Sequence, residues 1–353
     1  MTGALATTHL LAYAGAPSAA VQLRILLTGF QTGPLALLAD ALEVALALVY
    51  LAGVRRLRSK GRRWPVARSA AFLGGVAVMW IAVGSGFAAY DNVNVQLHVI
   101  QHVLLMMVAA PLVSLGRPIT LASQALDRRG QLRLVAIVHS KALSVLTFPV
   151  VAWFLYYGVM YGYFMDRAVY DYSIAHRLSH DATHLVFFVV GYLYWQPIIG
   201  GDATRWRLSH PVRLGSLFLG MPFEAFLGIA ISTMPQPLDP VNSIANTRSA
   251  GQMFWILAMM FSGFWVGSVV FQWFRQLERS TPREDRVADR TAEDARARAE
   301  ALGIDNLPPG ATVPWWRLEE LERKAAAAEE ASRAPGEGTP VFGAPNGSRP
   351  HPT

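Results

Sequence analysis

Histidines recur at four-residue intervals in two apolar stretches of the chain. One stretch contains His98 and His102, and the other contains His176, His180 and His184. Residues four apart lie on one face of a helix, so each stretch predicts a row of imidazoles. Neutral imidazole is a common ligand for copper and zinc, and the chain has no cysteine that would supply a thiolate. The pattern therefore predicts a metal site, and copper is the metal we expect.

Other polar or sulfur-containing side chains in the apolar stretches are candidates to support this site. Met106 continues the spacing of the first histidine row and either offers a thioether to Cu(I) or only packs. His176 lies at the end of its stretch, where an interfacial hydrogen-bonding role is the alternative to metal binding. Carboxylates inside a membrane span are functional candidates, but they also hold helices together by hydrogen bonds. Both interpretations stay open for Asp40, Glu43 and Glu224.

The composition indicates a membrane protein with helices that position these residues. Hydrophobic residues make up 53% of the 353 residues and charged residues 16%, whereas about a quarter is usual for charged residues in soluble proteins. A helix crosses the bilayer with about 20 mostly apolar residues. We therefore predict an all-α, polytopic bundle of about seven transmembrane helices. The predicted spans are Gly33–Gly53, Ala67–Tyr90, Val95–Leu115, Ser140–Phe164, His176–Ile199, Val212–Thr233 and Ser249–Trp273.

Basic residues predict the orientation of the bundle. They are concentrated in the first, third and fifth loops between the predicted spans, and basic loops stay on the cytoplasmic side. The N-terminus is therefore expected outside and the C-terminus in the cytoplasm. With this topology His98 and His180 lie at similar depth on the outer side, and His102 and His184 lie one turn deeper. If the two helices are neighbours, the four imidazoles converge.

The predicted domain organisation has three parts. Residues 1–28 form an extracytoplasmic segment, residues 29–275 form the seven-helix transmembrane domain, and residues 276–353 form a charged cytoplasmic tail that is partly helical and partly disordered. The net charge of +7 resides largely in short loops, which is typical of membrane topology and not of nucleic-acid binding. The chain carries no motif of a self-sufficient catalytic centre, so we do not expect an enzyme.

Longer motifs occur at Tyr50–Arg58 with Trp64-Pro65, at His98–Pro111 followed by Leu115–Pro118, and at His184–Trp195 with Pro197. These motifs resemble the CtaG family of caa3-type cytochrome c oxidase assembly factors. The resemblance covers about Leu23 to Trp273. The segment from His98 to Pro111 is the most specific of these motifs.

This resemblance implies a multi-pass plasma-membrane protein that is needed to make an active oxidase and helps to form its copper centre. Oxidase subunits or other assembly factors are the implied partners, and His98, His102 and His184 match the family's histidine positions. The residues themselves leave two alternatives open. One is a haem-binding redox protein with paired histidines as axial ligands, and the other is a copper permease.

Overall fold

The computed structural model describes residues 29, 34–91, 94–202, 205–206, 208–239, 242–304 and 314–333. The predicted N-terminal segment 1–28 and residues 334–353 of the predicted tail lie outside the described residues. Within the described ranges the chain forms helices joined by turns and irregular connections, with no strand.

The helices are numbered along the chain from the N-terminal side. They are α1 (Pro34–Ser59), α2 (Val66–Val83), α3 (Gly86–Tyr90), α4 (Val95–Val103), a π-helical segment (Leu104–Ala109), α5 (Ala110–Leu115), α6 (Pro118–Ala125), α7 (Arg128–Val138), α8 (Lys141–Leu146), α9 (Pro149–Met165), α10 (Arg167–Ala175), α11 (Arg177–Ile198), α12 (His210–Ser232), α13 (Ile244–Ala301) and α14 (Trp315–Arg333).

Five helical stretches among the described residues are long and apolar enough to cross a membrane. They are Ala36–Ser59, Val66–Val83, Val95–Ala125, His210–Ser232 and Ile244–Glu278. The all-α membrane class is thereby confirmed. The other two predicted spans correspond to α9 and α11, which have 17 and 22 residues. The count of seven and the orientation of the termini stay predictions.

The third predicted span is the centre of the bundle. Buried residues make up 72% of its most apolar part, against 17–33% in the other four stretches. Two glycines let neighbouring helices approach it closely. A Cβ atom on Gly75 of α2 would lie 2.7 Å from Val113 Cγ2, and one on Gly191 of α11 would lie 3.1 Å from Ala110 Cβ. Small residues at such contacts allow close helix packing in membranes.

A π-helical segment interrupts this central helix directly after the first histidine row. Such segments alter the regular backbone hydrogen bonding and often lie at functional sites. Two buried indoles donate to carbonyls of the segment: Trp195 Nε1 to Met106 O at 2.7 Å and Trp265 Nε1 to Met107 O at 2.8 Å. These hydrogen bonds fix α11 and α13 against the central helix, about one turn after His102.

The chain divides into two compact units, Met1–Trp273 and Phe274–Thr353. The division falls inside α13, close to the predicted end of the membrane domain at residue 275. The second unit contains the rest of α13 and α14, whose exposed faces carry ion pairs four residues apart, such as Arg296–Glu300 and Lys324–Glu320. Such pairs are typical of solvated helices. The three-part domain organisation stays a prediction.

Candidate metal centre

The four predicted histidine ligands come together in one buried cluster. Their exposed fractions are 0% for His98, 1% for His102, 2% for His180 and 7% for His184. Ring centroids within each helix are 4.6 Å apart. Between the helices, His98 lies 5.0 Å from His180 and His102 lies 5.4 Å from His184. The pairing by depth that the topology predicts is thus the pairing in the structure.

A carboxylate that spacing did not identify completes the cluster. Asp91 follows α3 directly and is 3% exposed. Its Oδ2 atom lies 3.5 Å from His180 Nε2 and 3.9 Å from His184 Nε2. One ligand atom from each of the three residues lies within 4.8 Å of the others. A signal was available, because Asp91 stands in the predicted outer loop just before the first histidine row. We call Asp91 and the four histidines the histidine centre.

The distances in the histidine centre suit a metal cation. Ligand atoms about 2.0–2.1 Å from a metal in tetrahedral or trigonal geometry are about 3.3–3.6 Å apart. The separations from Asp91 Oδ2 to the two imidazole nitrogens are close to that range. His180 Nε2 and His184 Nε2 are buried and have no hydrogen-bond partner among the described residues. Buried polar atoms without a partner are rare, and a bound cation would satisfy both nitrogens.

The other two histidines form a hydrogen-bonded pair beside this carboxylate. His102 Nε2 and His98 Nε2 are 2.9 Å apart, so one ring donates and the other accepts. Tyr163 Oη lies 3.1 Å from His98 Nε2 and 3.1 Å from Ser173 Oγ. Tyr163 therefore fixes the orientation of His98 from α9. No sequence signal distinguishes this tyrosine from the other aromatic residues at span ends.

Two of the candidate supporting residues lie outside the centre. His176 is exposed at the start of α11, where its Nδ1 lies 2.9 Å from Tyr172 O and its ring stacks on Tyr172. The local hydrogen bond agrees with the alternative to metal binding, and a position at the membrane interface stays a prediction. Met106 is buried in the apolar core and borders, together with His102, a void of about 10 Å³.

The three candidate carboxylates have different surroundings. Glu224 is 2% exposed and accepts hydrogen bonds from Ser262 Oγ at 2.7 Å and Tyr157 Oη at 3.3 Å. It joins α12 to α13 and α9, away from the histidines. Glu43 is 6% exposed and lines a cavity that His184 also lines. Asp40 lies against Gly84, where an added Cβ atom would be 2.5 Å from its Oδ1.

Comparisons with known proteins identify a family and three mycobacterial relatives that are similar to this chain. Residues 48–276 match the family of the cytochrome c oxidase caa3 assembly factor, Caa3_CtaG. The chain is 34% identical over 270 residues to uncharacterized proteins of Mycobacterium bovis and Mycobacterium tuberculosis. It is 32% identical over 275 residues to an uncharacterized protein of Mycobacterium leprae.

These alignments cover 71–73% of this chain and 41–42% of the relatives, so the chain spans about two fifths of their length. No solved structure matches the chain. All five residues of the histidine centre lie inside the matched region, whereas Asp40 and Glu43 precede it. From the match over residues 48–276, the chain belongs to the family of cytochrome c oxidase caa3 assembly factors.

Proposed function

We propose that this assembly factor binds copper at the histidine centre, on the outer side of the plasma membrane, and passes it to a nascent oxidase subunit. The observation that carries the proposal is the convergence of Asp91 Oδ2 on two buried imidazole nitrogens without hydrogen bonds. Family membership supplies the oxidase as the client. The role is one of binding and transfer, with copper as the cargo and no catalytic turnover.

The ligand set supports copper as a cargo that is released again. Among divalent first-row metals, nitrogen and oxygen sites bind Cu²⁺ most tightly. Thiolates would retain copper strongly, and the chain contains none. Imidazoles and a carboxylate release copper more readily than thiolates do, so binding at such a site is reversible. A carrier that gives copper to another protein needs this reversibility.

A haem-binding redox protein fits the geometry less well. Axial ligation would place an imidazole nitrogen on the iron, but His98 Nε2 and His102 Nε2 are in contact at 2.9 Å. The void beside His102 has a volume of about 10 Å³, which is room for one water molecule at most and far too small for haem. A visible absorption spectrum of the purified protein distinguishes haem from copper, and copper uptake into sealed vesicles tests a permease.

The experiment that tests the proposal is copper per chain in protein purified in detergent, loaded with Cu(II) and desalted. We expect about one copper in the parent protein and a loss of most of it in the double variant His180→Ala/His184→Ala. A matched control is His139→Ala/His176→Ala, which removes two exposed histidines outside the centre. The control should keep its copper.

The same variants test the role in oxidase assembly. Cells that lack this protein should make membranes with little copper-loaded oxidase. The parent gene and the control variant should restore oxidase activity, and the His180→Ala/His184→Ala variant should not. Equal copper in the two double variants would contradict the histidine centre as the binding site. Normal oxidase assembly by the His180→Ala/His184→Ala variant would contradict copper transfer as the function.

A further inference from the structure

The histidine centre is almost closed to solvent, so its cargo needs a passage. All five of its residues are at most 7% exposed. A cavity of about 290 Å³ reaches one edge of the centre between α1, α2 and α11. We call it the side cavity. Its wall includes His184, whose Nε2 atom faces Asp91 Oδ2 at 3.9 Å. The cavity therefore borders a residue that the proposed site uses as a ligand.

Two carboxylates line this otherwise mostly apolar cavity. Glu43 contributes from α1, and its buried Oε2 has no hydrogen-bond partner among the described residues. Asp181 contributes from α11, one turn before His184, and its side chain is 32% exposed. Its Oδ2 also has no hydrogen-bond partner there, and Arg177 Nε is 3.9 Å away. The cavity thus contains oxygen ligands at two levels, one partly exposed and one buried.

A buried carboxylate without a donor requires an explanation. Glu224 shows how a buried carboxylate with a structural role is satisfied, because two hydroxyls donate hydrogen bonds to it. Glu43 has no such donor at Oε2 within the described part of the chain and faces an open space instead. A cation that loses its water shell needs negative oxygens along its path, since an uncompensated charge is costly away from water. Glu43 and Asp181 are placed to supply them.

We propose that the side cavity is the passage by which a divalent cation reaches the histidine centre, with Asp181 and then Glu43 as transient oxygen ligands. The inference rests on the proposed function, because it assigns a path to the same cargo. It adds residues of α1 that precede the region matched by the family. Leu38, Leu42 and Leu185 contribute apolar lining to the same cavity.

The test is the rate of copper loading, measured separately from the final amount bound. Metal-free protein in detergent is mixed with Cu(II), and loading is followed by stopped-flow absorbance. Glu43→Gln replaces the carboxyl group with an amide of nearly the same shape. Ala39→Trp fills the cavity, which Ala39 lines. Leu48→Trp places the same bulk on an outward-facing, 60% exposed position of α1 and is the matched control.

We expect Glu43→Gln to load about tenfold more slowly or worse, because acidic groups that line a cleft change the association rate of a cation by about 10–10³-fold. Ala39→Trp should also load more slowly, because its indole fills the cavity. Their final copper per chain should equal that of the parent, and Leu48→Trp should load at the parent rate. A passage changes loading and release together and so leaves the affinity unchanged.

Other outcomes would overturn the inference in distinguishable ways. Parent-like loading in both cavity variants would show that copper takes another path, and the proposed function would stand. A lower final amount of copper in Glu43→Gln would make Glu43 part of the binding site instead of the passage. Absence of copper from the parent protein would remove the proposed function and the passage together.

Discussion

Replacement of Asp91 by asparagine is the sharpest test of the histidine centre. The change keeps the shape of the side chain and removes one negative charge. A copper ion bound to this carboxylate would lie about 2 Å from its oxygen. At that distance a unit charge and a divalent cation attract each other by about 4 kcal/mol even at the dielectric constant of water, which corresponds to about a thousandfold in affinity. The asparagine carbonyl still offers a lone pair, so we expect the Kd for Cu(II) to rise about 100- to 1000-fold.

The assay is competition for Cu(II) against a chelator of known affinity, with the protein in detergent at constant pH and salt. Asp171→Asn is the matched control, because Asp171 is half exposed on α10 and lies 3.6 Å from Arg167 in a surface ion pair. Its Kd should change less than threefold, because Asp171 lies outside the histidine centre and its exposed ion pair contributes only about 0–1 kcal/mol to stability. Melting of the metal-free proteins separates a binding effect from a folding effect. Equal copper affinity of Asp91→Asn and Asp171→Asn would refute Asp91 as a copper ligand.

Three further variants test other parts of the structure. Tyr163→Phe removes the hydroxyl beside His98 Nε2. Copper affinity should fall about tenfold, since groups that orient metal ligands contribute about 10–100-fold. The same competition assay measures the Kd, and an unchanged value would contradict the positioning role of Tyr163. Glu224→Ala leaves Ser262 without its acceptor and should destabilise the fold by about 1–3 kcal/mol while copper per chain stays at the parent value, as thermal melting and elemental analysis will show. Gly75→Ala places a methyl group against the central helix and should cost about 1–3 kcal/mol; a parent-like melting temperature would contradict the close packing.

The sequence predicted the histidine cluster because spacing within a helix is a local property. Four-residue intervals put His98 with His102, and His180 with His184, on common faces. Loop charges gave the two helices the same predicted direction and so matched their depths. The family resemblance pointed to three of the same four residues. The adjacency of α4 and α11 was only a condition in that reasoning, and the structure supplies it through Gly191 and the indole of Trp195.

The partners of the histidines were not identified by spacing, because they come from other elements. Asp91 lies in a connection whose path depends on α3, a helix of five residues. Tyr163 reaches His98 from α9, 65 residues further along the chain. No periodicity links residues across such separations. The π-helical segment was equally invisible, since the sequence around Met106 has the same apolar spacing as a regular helix.

The intramembrane carboxylates show the same limit in another form. The sequence did not distinguish a functional role from a helix-linking role for Asp40, Glu43 and Glu224, because any charge inside a span needs a partner. The nature of the partner decides the role, and the partner belongs to a different helix. Two hydroxyl donors make Glu224 a link between helices. Glu43 instead faces a cavity that ends at His184. The sequence of one helix predicts which of its faces is polar. The role of a carboxylate on that face depends on the residues of the neighbouring helices that it contacts.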